Sequence, residues 1–175
     1  FSLDTHDARV LMELDQLYKN LNRTPEQRLT FLDSHLLLVI SRDDLYLERI
    51  TLLNQTGEYE RTLELRLCYK FHQWEGGEGK TIKQFLTAVL ELAKEAISKG
   101  DAQKALDLLS TTNTYPENLG EGKLYGTREN DINYLKGLAY ELLNESEAAT
   151  TFYLKATAGD HKPVQAIFDN DPQPD

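Results

Sequence analysis

One spacing near the C-terminal end of this 175-residue chain narrows its possible folds more than any other feature. Gly137, Tyr140, Ala149, Tyr153 and Ala156 follow one another at steps of 3, 9, 4 and 3 residues, with Asn144 between Tyr140 and Ala149. Small residues at such steps let two antiparallel helices approach closely, and aromatic rings fill the space left above them. Asn144 falls where the chain must turn back, so the stretch predicts a helical hairpin. The same turn chemistry recurs upstream. Gly100-Asp101 precedes Ala105, and Gly57-Glu58 precedes Thr62, where alanine is expected. A weaker hairpin turns near Asn22, with Tyr18 and Phe31 as its best aromatic matches.

Apolar periodicity agrees with helices. Phe85, Leu86, Val89, Leu90, Ala93, Ala96 and Ile97 keep the i, i+3, i+4 pattern, as do Ile132, Leu135, Leu138, Ala139 and Leu142. Helix ends are marked by Thr24-Pro25, Asp43 and Asp101 at starts and by Gly57 and Gly100 at stops. The expected helices cover about 7–21, 25–41, 44–56, 59–70, 82–99, 102–111, 129–143 and 145–158. Hairpins of this composition follow the tetratricopeptide (TPR) pattern, with a period of about 34 residues. The fold expected is therefore all-α, a TPR-like α-solenoid of about four hairpins over 7–41, 44–70, 82–111 and 129–158, in one domain. No β-type alternation competes with it.

The turns at 22, 57, 100 and 144 lie 35, 43 and 44 residues apart, so only the first interval fits the standard period. The surplus falls into two inserted loops, 71–80 and 114–126. Both carry Gly-Glu-Gly-Lys, at Gly77 to Lys80 and at Gly120 to Lys123, and both place an aromatic residue and a glutamate just upstream. A loop motif repeated in step with the hairpins has either a shared structural job or a shared ligand. As structure, the glycines supply positive φ while Glu and Lys bond across to the neighbouring loop or cap a helix. As function, Trp74, Glu75, Glu78, Lys80, Tyr115, Glu117, Glu121 and Lys123 form an aromatic and charged edge suited to a sugar or a polar peptide. A third polar segment runs from Gly126 to Tyr134. In it Thr127 is expected to cap the following helix, with Glu129 and Asp131 at its positive end. Asn130 and Tyr134, four residues apart, form either a buried polar lock or the edge of a ligand site.

Other chemistries find little support. Nineteen Lys plus Arg against 29 Asp plus Glu give a net charge of −10, which repels nucleic acid. The longest apolar run, Leu36 to Ile40, is far below the roughly 20 residues of a membrane helix, so no membrane partner is expected. Gly79-Lys80-Thr81 imitates the end of a phosphate loop, but Trp74 stands where that motif needs glycine and a helix precedes it. His6, His35, His72 and His161 are scattered, and Cys68 with His72 makes one pair where zinc needs three or four ligands. No nucleophile elbow or Cys-His triad is present, so no catalytic residue, metal or cofactor is expected. The single Cys68 suits a reducing compartment, and a cytoplasmic location is expected. Asn-x-Ser/Thr triplets at Asn22, Asn54 and Asn144 read as turn and helix-end chemistry. The start at Phe1 and the Pro-rich end at Asn170 to Asp175 suggest a piece of a longer chain.

The strings Phe71-His72-Gln73-Trp74-Glu75-Gly76-Gly77-Glu78-Gly79-Lys80, Tyr115-Pro116-Glu117-Asn118-Leu119-Gly120-Glu121-Gly122-Lys123 and Glu129-Asn130-Asp131-Ile132 resemble a bacterial family of TPR proteins carrying a domain of unknown function. The resemblance extends over Arg42-Asp43-Asp44-Leu45 and Leu52-Leu53-Asn54, and departs at Gln73 and Asn133, where proline and histidine are expected. Longer members of that family place a galactose-mutarotase-like sandwich before the TPR region. The resemblance implies a TPR module within a protein that handles carbohydrate, and supplies no catalytic residue. The function expected is a non-catalytic protein-interaction or scaffold module, docking to a carbohydrate-related domain of its own chain or of a partner. The alternative is a carbohydrate-binding or glycoside-processing accessory site on the paired loops.

Overall fold

The computed structural model of the protein describes residues 7–72, 77, 79–114, 117–120 and 128–158, and among them it is all-helical, with no strand. The helices are α1 (Ala8–Asn20), α2 (Pro25–Asp33), α3 (Leu36–Val39), α4 (Asp43–Gln55), α5 (Tyr59–Cys68), α6 (Lys80–Ser98), α7 (Ala102–Ser110), α8 (Glu129–Leu142) and α9 (Ser146–Ala158). A 3-10 turn, Glu117–Leu119, lies between α7 and α8 in sequence.

All four expected turns are built alike. Asn22, Gly57, Gly100 and Asn144 have φ of 56°, 81°, 78° and 60°, the left-handed region that glycine and asparagine enter most readily. At each, the following N–H reaches back five residues: Arg23 to Tyr18, Glu58 to Leu53, Asp101 to Ala96 and Glu145 to Tyr140. The turn residue itself donates three residues back, to Lys19, Asn54, Ile97 and Glu141. That pair of bonds is the Schellman closure, which satisfies carbonyls otherwise orphaned at a helix end. Five residues beyond three of these turns stand Thr62, Ala105 and Ala149, all buried. In the first hairpin the same position is Gln27, which is exposed and serves the capping box of α2 with Thr24 instead.

One helix expected over 25–41 is in fact two, α2 and α3. Ser34 Oγ donates to the Phe31 carbonyl at 2.7 Å, and His35 Nδ1 lies 2.9 Å from the same oxygen. His35 leaves helical geometry, with φ −124° and ψ 35°. Side chains that compete for a helix carbonyl end the helix there.

The chain forms two compact units, residues 1–91 with 114–122, and residues 92–113 with 123–175. In the first, α2 packs on α1 and α4, and α4 on α5. Its core is built from leucines such as Leu32, Leu45, Leu52 and Leu53, with Phe71 from the first insertion. Buried Arg28 on α2 clamps it, with Nε and Nη2 on Asp15 at 3.0 and 2.6 Å and Nη2 on Glu48 at 2.5 Å. Asp33 similarly joins Arg49 and Arg61. In the second unit, α7 packs on α8 and α8 on α9, around small residues that include Ala105, Ala139 and Ala149.

Candidate functional site

Of the expected contact residues, Trp74, Glu75, Glu78, Tyr115, Glu121 and Lys123 lie outside the described residues. Thr127, the expected cap of α8, lies outside them too, and Arg128 takes the cap position with φ 54° and its Nε on Asp131 at 2.8 Å. Lys80 opens α6 and Glu117 opens the 3-10 turn, both exposed. Asn130 and Tyr134 stand on α8.

The described flanks of the two insertions are bonded to one another. Phe71 N–H donates to the Asn118 carbonyl at 2.8 Å, Asn118 Nδ2 donates to the Tyr69 carbonyl at 2.9 Å, and Thr81 Oγ1 donates to the Leu119 carbonyl at 3.3 Å. Gly120, at φ 73°, lies so close that a Cβ there would stand 2.6 Å from the Phe71 carbonyl oxygen. Positive φ falls on Gly120, the first glycine of its copy, and on Gly79, the second glycine of the other. A helix turn at α6 explains Gly79, whose carbonyl accepts from Lys83 N–H at 2.9 Å. The bonds of this joint fall on Tyr69, Phe71, Thr81, Asn118 and Leu119, residues that flank the two Gly-Glu-Gly-Lys copies.

Beside the joint, Asp43 gathers three donors that the sequence reading did not bring together. Its carboxylate accepts from Tyr69 Oη at 2.6 Å and from His72 N–H at 3.0 Å, and His72 Nδ1 lies 3.0 Å away. Tyr69 stacks on Tyr46 with ring centres 3.9 Å apart. Burial pushes the Tyr69 phenol well up, and the hydrogen bond to Asp43 and its charge add to that. His72 is thus held by a residue 29 positions away rather than paired with Cys68 in a ligand set, and Cys68 is exposed. Nothing in local spacing foretells such a contact.

The second unit carries an open groove along α8 and α9. Asn130, Tyr134, Leu138 and Glu141 contribute from α8, and Tyr153 and Ala156 from α9. The α8 residues recur at steps of 3 and 4, which stacks them on one helix face. Tyr134 is 52% exposed, so it belongs to an accessible edge and makes no buried lock with Asn130. Its ring centre is 5.9 Å from that of Tyr153. Gly137 makes room for Tyr153, because a Cβ at 137 would stand 2.5 Å from that ring. The Tyr153 hydroxyl donates to Glu141 Oε2 at 2.5 Å. Burial, the hydrogen bond to Glu141 and the charge of Glu141 push that phenol up to about 12. At neutral pH the Tyr153 phenol is therefore a fixed donor to Glu141. Glu141 escaped the sequence reading because an acid on a strongly acidic chain is unremarked until a partner holds it in place.

Among the described residues no group of three or more His, Cys, Asp or Glu is placed to hold a metal ion. No described helix is long and apolar enough to cross a membrane. No protein-family model matches the chain, and no solved structure matches it.

Proposed function

We propose that the chain is a non-catalytic interaction module of TPR-like hairpins, and that α8 and α9 receive an extended segment of a partner protein. The observation that carries this reading is the groove of Tyr134, half exposed, with Tyr153 and Glu141, on the hairpin whose small and aromatic residues follow the TPR spacing. Four identical Schellman turns support the repeat reading, since stacked hairpins of one design are what a solenoid requires. A tyrosine with its ring exposed beside a fixed hydrogen-bonding pair offers large contact area at low entropic cost, as binding surfaces do.

The reading is tested by selecting peptides from a random display library on the immobilised full chain, then mapping the selected peptides by amide shifts. Selected peptides are expected to move resonances of α8 and α9, and Tyr134→Ala is expected to weaken them about tenfold, the usual loss at an aromatic anchor. Because Tyr134 is half exposed, that substitution leaves the fold intact. Selection that yields no binders, or binders whose shifts fall away from α8 and α9, overturns the reading.

A further inference from the structure

From the same groove we infer that its partner segment presents a cationic side chain, arginine or lysine, to Glu141 and the neighbouring phenol rings. This inference rests on the interaction reading above and names the chemistry of the occupant. Among the described residues the groove is lined by two carboxylates, Asp131 and Glu141, and by no lysine or arginine. Asp131 is already paired with Arg128, so Glu141 is the carboxylate that lacks a cation among the described residues. The two lysines of this hairpin stand elsewhere, with Lys155 Nζ 4.7 Å and Lys136 Nζ 5.8 Å from the centre of the Phe152 ring. The faces of Tyr134 and Tyr153 add an electron-rich wall, to which a guanidinium or ammonium is drawn. Tyr153 holds one oxygen of Glu141, which fixes the carboxylate and leaves the other oxygen to accept from a ligand.

The geometry sets the size of the occupant. From Asn130 to Glu141 the helix rises about 16 Å, which an extended segment of about five residues spans. Leu138 and Ala156 line the groove between those ends, so apolar side chains flanking the cation suit the middle. A segment bearing carboxylates is disfavoured, both by Glu141 locally and by the net charge of −10.

The experiment uses the full chain and two decapeptides of alternating leucine and arginine, identical except that one carries citrulline in place of arginine. Citrulline keeps the planar shape and removes the charge. Amide shift mapping is expected to place the arginine peptide on α8 and α9, and its affinity is expected to exceed that of the citrulline peptide about tenfold, as for a charge-assisted hydrogen bond. Glu141→Gln, which retains an acceptor for Tyr153, is expected to erase that difference. Glu60→Gln, at an exposed acid on α5, is expected to change it by less than about twofold, the scale of a screened surface charge. Equal binding of both peptides on α8 and α9 overturns the cation inference and leaves the groove reading standing. Equal losses in Glu141→Gln and Glu60→Gln overturn it as well, because attraction by the overall charge then accounts for the binding. Absence of α8 and α9 shifts with either peptide overturns both readings, and an oligosaccharide that moves those amides instead assigns the groove to sugar.

Discussion

Gly137 and Thr62 occupy small-residue positions of two different hairpins and meet their surroundings in opposite ways. At Gly137 the missing Cβ is filled by the ring of Tyr153, 2.5 Å from where a methyl group would sit. Gly137→Ala gains about 1 kcal/mol of helix propensity, yet it drives that ring away at an overpacking cost of about 1–3 kcal/mol. The expected net result is a lower urea midpoint together with a shifted Tyr153 resonance. A variant as stable as the parent, with the ring unmoved, shows that α8 and α9 can separate freely. Thr62 replaces the expected alanine, is fully buried, and its hydroxyl has no hydrogen-bond partner among the described residues. Thr62→Val keeps the shape and removes the stranded hydroxyl, so a gain of about 1 kcal/mol is expected from urea denaturation. A loss of that size instead shows that the hydroxyl is bonded in solution.

At the scale of elements, the four turns were legible because each depends on one residue type at one position. Gly57 and Gly100 have open space around them, so Gly57→Ala and Gly100→Ala test the backbone alone. Each is expected to cost about 1–2 kcal/mol, the penalty of holding a Cβ in the left-handed region. Asn22→Gly and Asn144→Gly, at the corresponding sites, are expected to be tolerated, and thermal melts of the four variants make the comparison. The break between α2 and α3 was illegible, since Leu36 to Ile40 continues an apolar run and gives no sign that Ser34 and His35 take the Phe31 carbonyl. Arg28 was illegible for a different reason. Its partners Asp15 and Glu48 lie 13 and 20 residues away, on helices whose packing periodicity alone does not specify. The candidate groove was half legible: spacing offered Asn130 and Tyr134 on one face and Tyr153 as an aromatic of the facing helix, whereas Glu141 gained meaning only as the partner of the Tyr153 hydroxyl.

Across the whole molecule, three hydrogen-bonded phenols make alkaline pH the sensitive side of the stability profile. Tyr46, Tyr69 and Tyr153 all have raised pKa values, each with burial as the largest cause. In the unfolded chain these groups ionise near 10. Above that pH the unfolded state holds fewer protons than the folded one, so stability falls as pH rises. Their contribution is complete below about pH 10 and is lost upward from there, for Tyr153 through about pH 12. Tyr69 is the informative one, because its hydroxyl donates to Asp43, which also holds the start of the first insertion through His72. Tyr69→Phe removes that bond and is expected to lower stability by about 1 kcal/mol at pH 8, the net worth of one hydrogen bond, since Asp43 keeps the His72 N–H. It also removes the ionisation, so the decline between pH 9.5 and 11.5 becomes shallower. Urea midpoints for parent and variant across that range separate the two effects, one as an offset and the other as a slope. A variant whose curve runs parallel to that of the parent places the alkaline loss on Tyr46 and Tyr153 and removes Tyr69 from the account.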